Sequence, residues 1–186
     1  MIKFAKELFP IYRSITGPGQ IETLKKINDK VKKLKLIKFK SGSKIFDWKI
    51  PKVWNIKDSF IEHKSGKKFA EFKKNNLHVV SYSDPINKWM HKKELLSKIH
   101  THDKLKNAIP FVTSFYKKYW GFCMSENDKN NLPNGKYRAY INSQKTNGNL
   151  FLGEFYFRGK SKKELLISTN ICHPSMANNE ISGIVV

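Results

Sequence analysis

Between Gly148 and Cys172 two apolar runs, "GNLFLGEFYFRG" and "KKELLISTNIC", flank the short polar segment "GKSK". Aromatic and β-branched residues in runs of this length favour extended backbone, and a tight polar turn between two such runs predicts a β-hairpin. Its second strand delivers His173 at its carboxyl end. Open α/β sheets present reactive groups there, because a side chain at that end escapes the packed interior while the ladder still fixes it.

The sequence ahead of this hairpin changes texture twice. "IKFAKELFPIY" spaces its apolar residues as a helix does, and after the break "TGPGQ" the residues Ile21, Leu24, Ile27, Val31 and Leu34 recur at steps of three and four, which predicts a second helix with one buried stripe. "LKLIKFK" then alternates apolar residues with lysine, the pattern of a strand buried on one face. From "SKIFDWKIP" to "HVVSYSD" short aromatic and β-branched runs alternate with turns at "HKSGKK" and "KKNN". "HKKELLSKIH" predicts a short helix, "NAIPFVTSFYKKYWGFCMS" is densely aromatic, and "ENDKNNLPNGK" is a polar helix start or loop. The fold class expected is α/β, with helices and a first strand over 1–47, a small β-rich insertion over 48–145, and a return to the first domain over 146–186.

The 186 residues, 39% hydrophobic and 13% aromatic, suffice for a real core. A net charge of +21 invites a polyanion partner. The positive charge is almost all lysine, however, with Arg13, Arg138 and Arg158 the arginines, whereas bidentate recognition of phosphates and base edges favours guanidinium. No specific nucleic-acid partner is expected, although a basic nucleic-acid-binding module remains an alternative. The aromatic run is expected to pack the insertion against the rest of the chain rather than to stack bases. Cys123 and Cys172 form no CxxC pair, which suits a reducing cytoplasm, and no apolar block suggests a membrane partner.

After the second apolar run comes "HPSMANNEISG", which sets His173 near Asn179 and Glu180. Imidazole and carboxylate are zinc ligands when they converge, but a lone His before Pro also occurs in turns, and spacing alone leaves both readings open. Cys172 precedes His173 on the predicted strand, so the two side chains should diverge to opposite faces. His100 and His102, with Asp103, form a weaker candidate pair. Arg13 in "RSITGPG" either ends a helix or holds a substrate carboxylate.

"GEFYFRGKSKKELLISTNICHPSMANNEISG" resembles the hairpin and first metal loop of the co-catalytic zinc aminopeptidases, the leucyl aminopeptidase-like family. "LFPIYRSITGPG", "FDWKIPKVWNI", "HVVSYSDP", "AIPFVTSFYKKYWGFC" and "NLFLGEFYF" extend the resemblance to a bacterial branch whose peptidase-like domain carries an inserted domain of unknown function and a C-terminal winged helix. The resemblance implies the N-terminal part of a zinc-peptidase-like (phosphorylase/hydrolase-like) sheet-and-helix domain acting on a peptide or other amide substrate. It implies His173 as a zinc ligand and sets Asn179 where a metal-bridging aspartate stands, so that Glu180 takes the bridging role, a single zinc binds, or metal binding is lost. Ser175 stands where that family often has an Asp orienting the ligating His, and Ser182 with Gly183 matches the Ser-Gly opening the next helix, Ser182 as its N-cap. The general-base Glu and the remaining ligands of the family follow this loop. The chain is therefore expected to be an N-terminal fragment, inactive alone, with one or two zinc ions bound only in the complete protein, or else a non-catalytic binding descendant.

Overall fold

In the computed structural model, which describes residues 1–186, prolines punctuate the first two helices. Helix α1 (Ile2–Leu8) ends just before Pro10, which cannot donate the next helical hydrogen bond. Helix α2 (Pro18–Val31) starts with Pro18 in its first turn, where the missing N–H costs nothing, and closes on Lys32 in the left-handed conformation. Gly19 has no tolerance for a side chain, because a Cβ there would sit 1.8 Å from the Tyr12 carbonyl oxygen. That close approach pins the Tyr12–Arg13 backbone against the start of α2. The predicted stripe on α2 is narrower than expected: Leu24 is buried, Ile21 and Ile27 are half-buried, and Val31 is exposed.

The chain is a mixed α/β structure with several small sheets, organised as two compact units, Met1–Val53 with Asn147–Val186, and Trp54–Thr146. In the first unit, strand β1 (Lys35–Lys40) pairs antiparallel with the strand at Asn149–Glu154, in a register that sets Lys35 opposite Glu154 and Lys40 opposite Asn149. The two-residue strands β2 (Lys44–Ile45) and β3 (Trp48–Lys49) form a small hairpin. A separate apolar cluster joins Leu8 and Ile11 to Ile181, with Phe4, Ala5, Ile184 and Val185 packed around it.

The second unit is built on a four-stranded sheet. Strands β4 (Val53–His63), β5 (Lys68–Phe69), β6 (Ile86–His91) and β9 (Lys136–Thr146) lie in the order β5-β4-β9-β6. Between β6 and β9 come helix α3 (Lys92–Leu96), the parallel pair β7 (Ile99–His100) and β8 (Phe122–Cys123), and helix α4 (Glu126–Asn130). Ser125 caps α4 through an oxygen that accepts from the Asp128 N–H. Along β9, Tyr137, Ala139 and Ile141 turn inward and the residues between them outward, the period-two pattern of a sheet with one solvated face. The aromatic run packs within this unit: Phe115 meets Tyr82 edge-on at 4.9 Å, and Trp120 meets Phe122 at 6.3 Å.

Cys123 is fully buried here, and burial pushes its thiol up to about 12. In the unfolded chain the same thiol titrates near ~8.5. The folded state therefore keeps a proton that the unfolded state loses, and the contribution to stability is whole below about pH 8.5 and lost as pH rises towards 12, at up to ~1.4 kcal/mol per pH unit. Cys123→Ala is expected to flatten the alkaline fall in the denaturation midpoint measured between about pH 8.5 and 10.5. Parallel profiles for parent and variant would refute this.

The predicted C-terminal hairpin does not form. Its first run gives strand β10 (Asn149–Glu154), but from Phe155 to Met176 the chain has no regular secondary structure. The reason lies at the edge of β10 away from β1. There the buried Gln20 side chain brackets Phe151, donating from Nε2 to the Phe151 carbonyl at 3.0 Å and accepting its N–H at 3.3 Å. A strand needs those same groups to pair. The second run stays unpaired, and Leu165, Leu166 and Ile167 are 88%, 90% and 83% exposed. At the C-terminal end, Ala177–Ile181 forms a wide π-type turn that runs into helix α5 (Ser182–Val185). Ser182 is not its N-cap as expected: it lies inside the helical run, and its hydroxyl donates to the Asn178 carbonyl at 2.6 Å. No helix is long and apolar enough to cross a membrane.

Candidate metal centre

Four side chains from opposite ends of the sequence meet in the first unit. Gly19 fixes the backbone at Tyr12–Arg13, and the turn after His173, with Ser175 at a positive φ of 49°, leads into the wide turn that carries Glu180 inward. That turn is held by the Glu180 and Ile181 N–H groups, which both donate to the Met176 carbonyl, at 3.2 and 3.1 Å. Wide turns of this kind recur at functional sites.

Glu180 is fully buried and its two oxygens have separate tasks. Oε2 accepts the His173 backbone N–H at 2.8 Å and faces Arg13 Nε at 3.7 Å. Oε1 accepts the Cys172 backbone N–H at 2.9 Å, the Cys172 thiol at 3.3 Å and the His173 Nδ1 proton at 2.5 Å. Arg13, also fully buried, donates from Nε to the His173 carbonyl at 3.0 Å and from Nη1 to the Leu8 carbonyl at 2.5 Å, while Nη2 has no acceptor. Burial pushes the Arg13 guanidinium down from its ordinary value and the Glu180 charge opposes it. A buried charge is retained where a partner of opposite sign compensates it, and Glu180 is that partner.

The expectation that Cys172 and His173 diverge fails because no strand holds them. With the alternation of an extended ladder gone, Cys172 Sγ lies 3.5 Å from His173 Nδ1. Burial first, then the Glu180 charge and hydrogen bond, push the Cys172 thiol up to about 12. Sulfur, nitrogen and oxygen donors of Cys172, His173 and Glu180 all lie within 4.8 Å of one another. These are zinc's three preferred donor types, so the residues present fit that ion.

Of the residues singled out from sequence, the structure brings His173, Glu180 and Arg13 together, with Arg13 in an ion pair rather than at an opening. Asn179 is exposed and outside the cluster. His100 and His102 are used separately: His100 Nε2 pairs with the Tyr119 hydroxyl at 2.8 Å, and His102 Nδ1 accepts the N–H groups of Lys104 and Leu105 at 3.2 Å each. Burial, with Lys129 and Lys98, pushes the His100 imidazole down, leaving it neutral at pH 7. Cys172 was missed as a site residue, and its adjacency to His173 was the available signal.

The family profile described as "Domain of unknown function (DUF4910)" matches residues 2–186. The chain belongs to this family. It is 44% identical over 181 residues to a Clostridium acetobutylicum protein provisionally described as a polysaccharide biosynthesis protein with an aminopeptidase-like domain, covering 97% of this chain and 42% of that protein. A crystal structure from Clostridium acetobutylicum, provisionally described as a peptidase, superposes with a TM-score of 0.93 at 44% identity, over 98% of this chain and 43% of the other. The chain thus spans less than half the length of the relatives it matches.

Proposed function

We propose that the whole protein is a zinc-dependent, aminopeptidase-like amide hydrolase of the cytoplasm, and that this chain supplies part of its metal site through His173 and Glu180. The observation that carries the reading is the buried Glu180 carboxylate, whose Oε1 stands 2.5 Å from His173 Nδ1. Imidazole and carboxylate are zinc-ligand types, and their convergence here in a short hydrogen bond supports the reading. Zinc bound there supplies Lewis acidity and a coordinated water of lowered pKa. The chain's own residues do the positioning: the His173 N–H and Arg13 anchor Glu180 Oε2, so Oε1 is presented in a fixed direction. General-base chemistry is assigned to a Glu outside residues 1–186, as in the family the loop resembles. The substrate is a peptide amino terminus or another amide, with no specific nucleic-acid partner. Because Asn179 is exposed and a neutral amide bridges two dications poorly, the site takes a single ion.

Equilibrium dialysis against zinc tests the reading. The complete protein is expected to bind zinc at micromolar or tighter affinity, and His173→Ala to weaken this by more than about 100-fold, beyond the loss typical of an outer-shell partner. Binding unchanged in His173→Ala, or no binding by the complete protein, would sink it.

A further inference from the structure

We infer that the Cys172 sulfur is a third ligand of this centre, beside His173 and Glu180. The inference rests on the zinc reading of His173 and Glu180 and goes beyond it. Zinc–sulfur bonds of about 2.3 Å and zinc–nitrogen or zinc–oxygen bonds of about 2.0–2.1 Å at tetrahedral angles require sulfur-to-nitrogen and sulfur-to-oxygen edges of about 3.5 Å. Cys172 Sγ stands 3.5 Å from His173 Nδ1 and 3.3 Å from Glu180 Oε1. Two edges of a metal tetrahedron are therefore already in place. The third, between Nδ1 and Oε1, is closed to 2.5 Å by a hydrogen bond and must open by about 0.8 Å to reach the tetrahedral value of about 3.3 Å.

Charge points the same way. Arg13 is buried 3.7 Å from Glu180 and its Nη2 has no acceptor, so a dication here meets an adjacent positive charge that only Glu180 offsets. A thiolate supplies the second negative charge that a buried dication needs, which a neutral ligand in the same place would not. The protons balance. On binding, the Cys172 thiol releases its proton to solvent, the Nδ1 proton leaves the Glu180 hydrogen bond, the imidazole reprotonates at Nε2, and the three ligands present S⁻, N and O⁻ to the ion.

Cobalt(II) titration of the chain followed by absorbance separates the possibilities. The expected result is visible ligand-field bands of tetrahedral cobalt rising in step with a near-ultraviolet thiolate-to-cobalt band. In Cys172→Ser the thiolate band should vanish while the visible bands persist at weaker affinity. Visible bands without the thiolate band in the parent would overturn the Cys172 assignment and leave the His173–Glu180 reading standing. A thiolate band that survives in Cys172→Ser would come from Cys123, the other free thiol, and would overturn it equally. No spectral change at all would remove the three-ligand assignment, while the reading of the complete protein is decided by the dialysis. A second measurement needs no variant: zinc should slow iodoacetamide labelling of Cys172, read by peptide mass spectrometry, by more than about tenfold, and a chelator should restore it. Labelling indifferent to zinc, in a chain that dialysis shows to be loaded, would refute the thiolate ligand.

Discussion

Glu180→Gln is expected to destabilise the chain by about 3 kcal/mol, the cost of leaving one partner of a buried ion pair uncompensated. Both partners are fully buried and Arg13 Nε lies 3.7 Å from Glu180 Oε2. The glutamine can still accept from some of the four groups now served by the carboxylate, so volume and part of the hydrogen bonding survive. What disappears is the charge that makes a buried guanidinium tolerable. The arithmetic predicts strong coupling: Arg13→Met together with Glu180→Gln removes both charges and should cost clearly less than the sum of the single changes. Denaturant midpoints of the parent, the two single variants and the double variant measure this. Amide exchange gives a local readout, because the Cys172 and His173 N–H groups donate to Glu180 at 2.9 and 2.8 Å and should lose protection in Glu180→Gln before the four-stranded sheet does. A single-variant cost below about 1 kcal/mol, or strict additivity, would mean that the pair carries no buried charge.

This pair also shows where sequence reasoning stopped. Local patterns are legible wherever local physics decides the outcome: the three- and four-residue spacing from Ile21 to Val31 in α2 and the alternation at Lys35–Lys40 each need a few neighbours. The Arg13–Glu180 contact joins residues 167 positions apart, and nothing in the spacing of either announces the other. The C-terminal hairpin fails to form for a related reason. Composition at Lys162–Cys172 does favour a strand, but a strand exists only against a partner, and Gln20 from α2 holds the Phe151 groups that a partner would use. A strand there would hold Cys172 and His173 on opposite faces. Without that alternation the sulfur lies 3.5 Å from the imidazole.

Trp54→Ala is expected to cost about 3–5 kcal/mol, the range for deleting a large buried aromatic side chain. Trp54 is only 1% exposed and its ring stacks on Tyr82 with centroids 5.7 Å apart and 17° between planes. Tyr82 is itself held edge-on by Phe115 at 4.9 Å, so truncation leaves a void that the neighbouring rings cannot fill without giving up their own contacts. Trp54→Phe separates packing from hydrogen bonding. The indole Nε1–H donates to the Ser83 carbonyl at 2.9 Å, but the same carbonyl also accepts the Ser143 hydroxyl at 2.7 Å. Losing the indole donor therefore does not strand a buried acceptor, and phenylalanine should cost about 1–2 kcal/mol, set by the smaller ring. Equal costs for alanine and phenylalanine, read from denaturant unfolding, would show instead that the hydrogen bond dominates. If Ser143→Ala were silent alone but severe in the Trp54→Phe background, the two donors would be substitutes for each other. That non-additivity is the expected result, because an orphaned buried carbonyl arises only when both are gone.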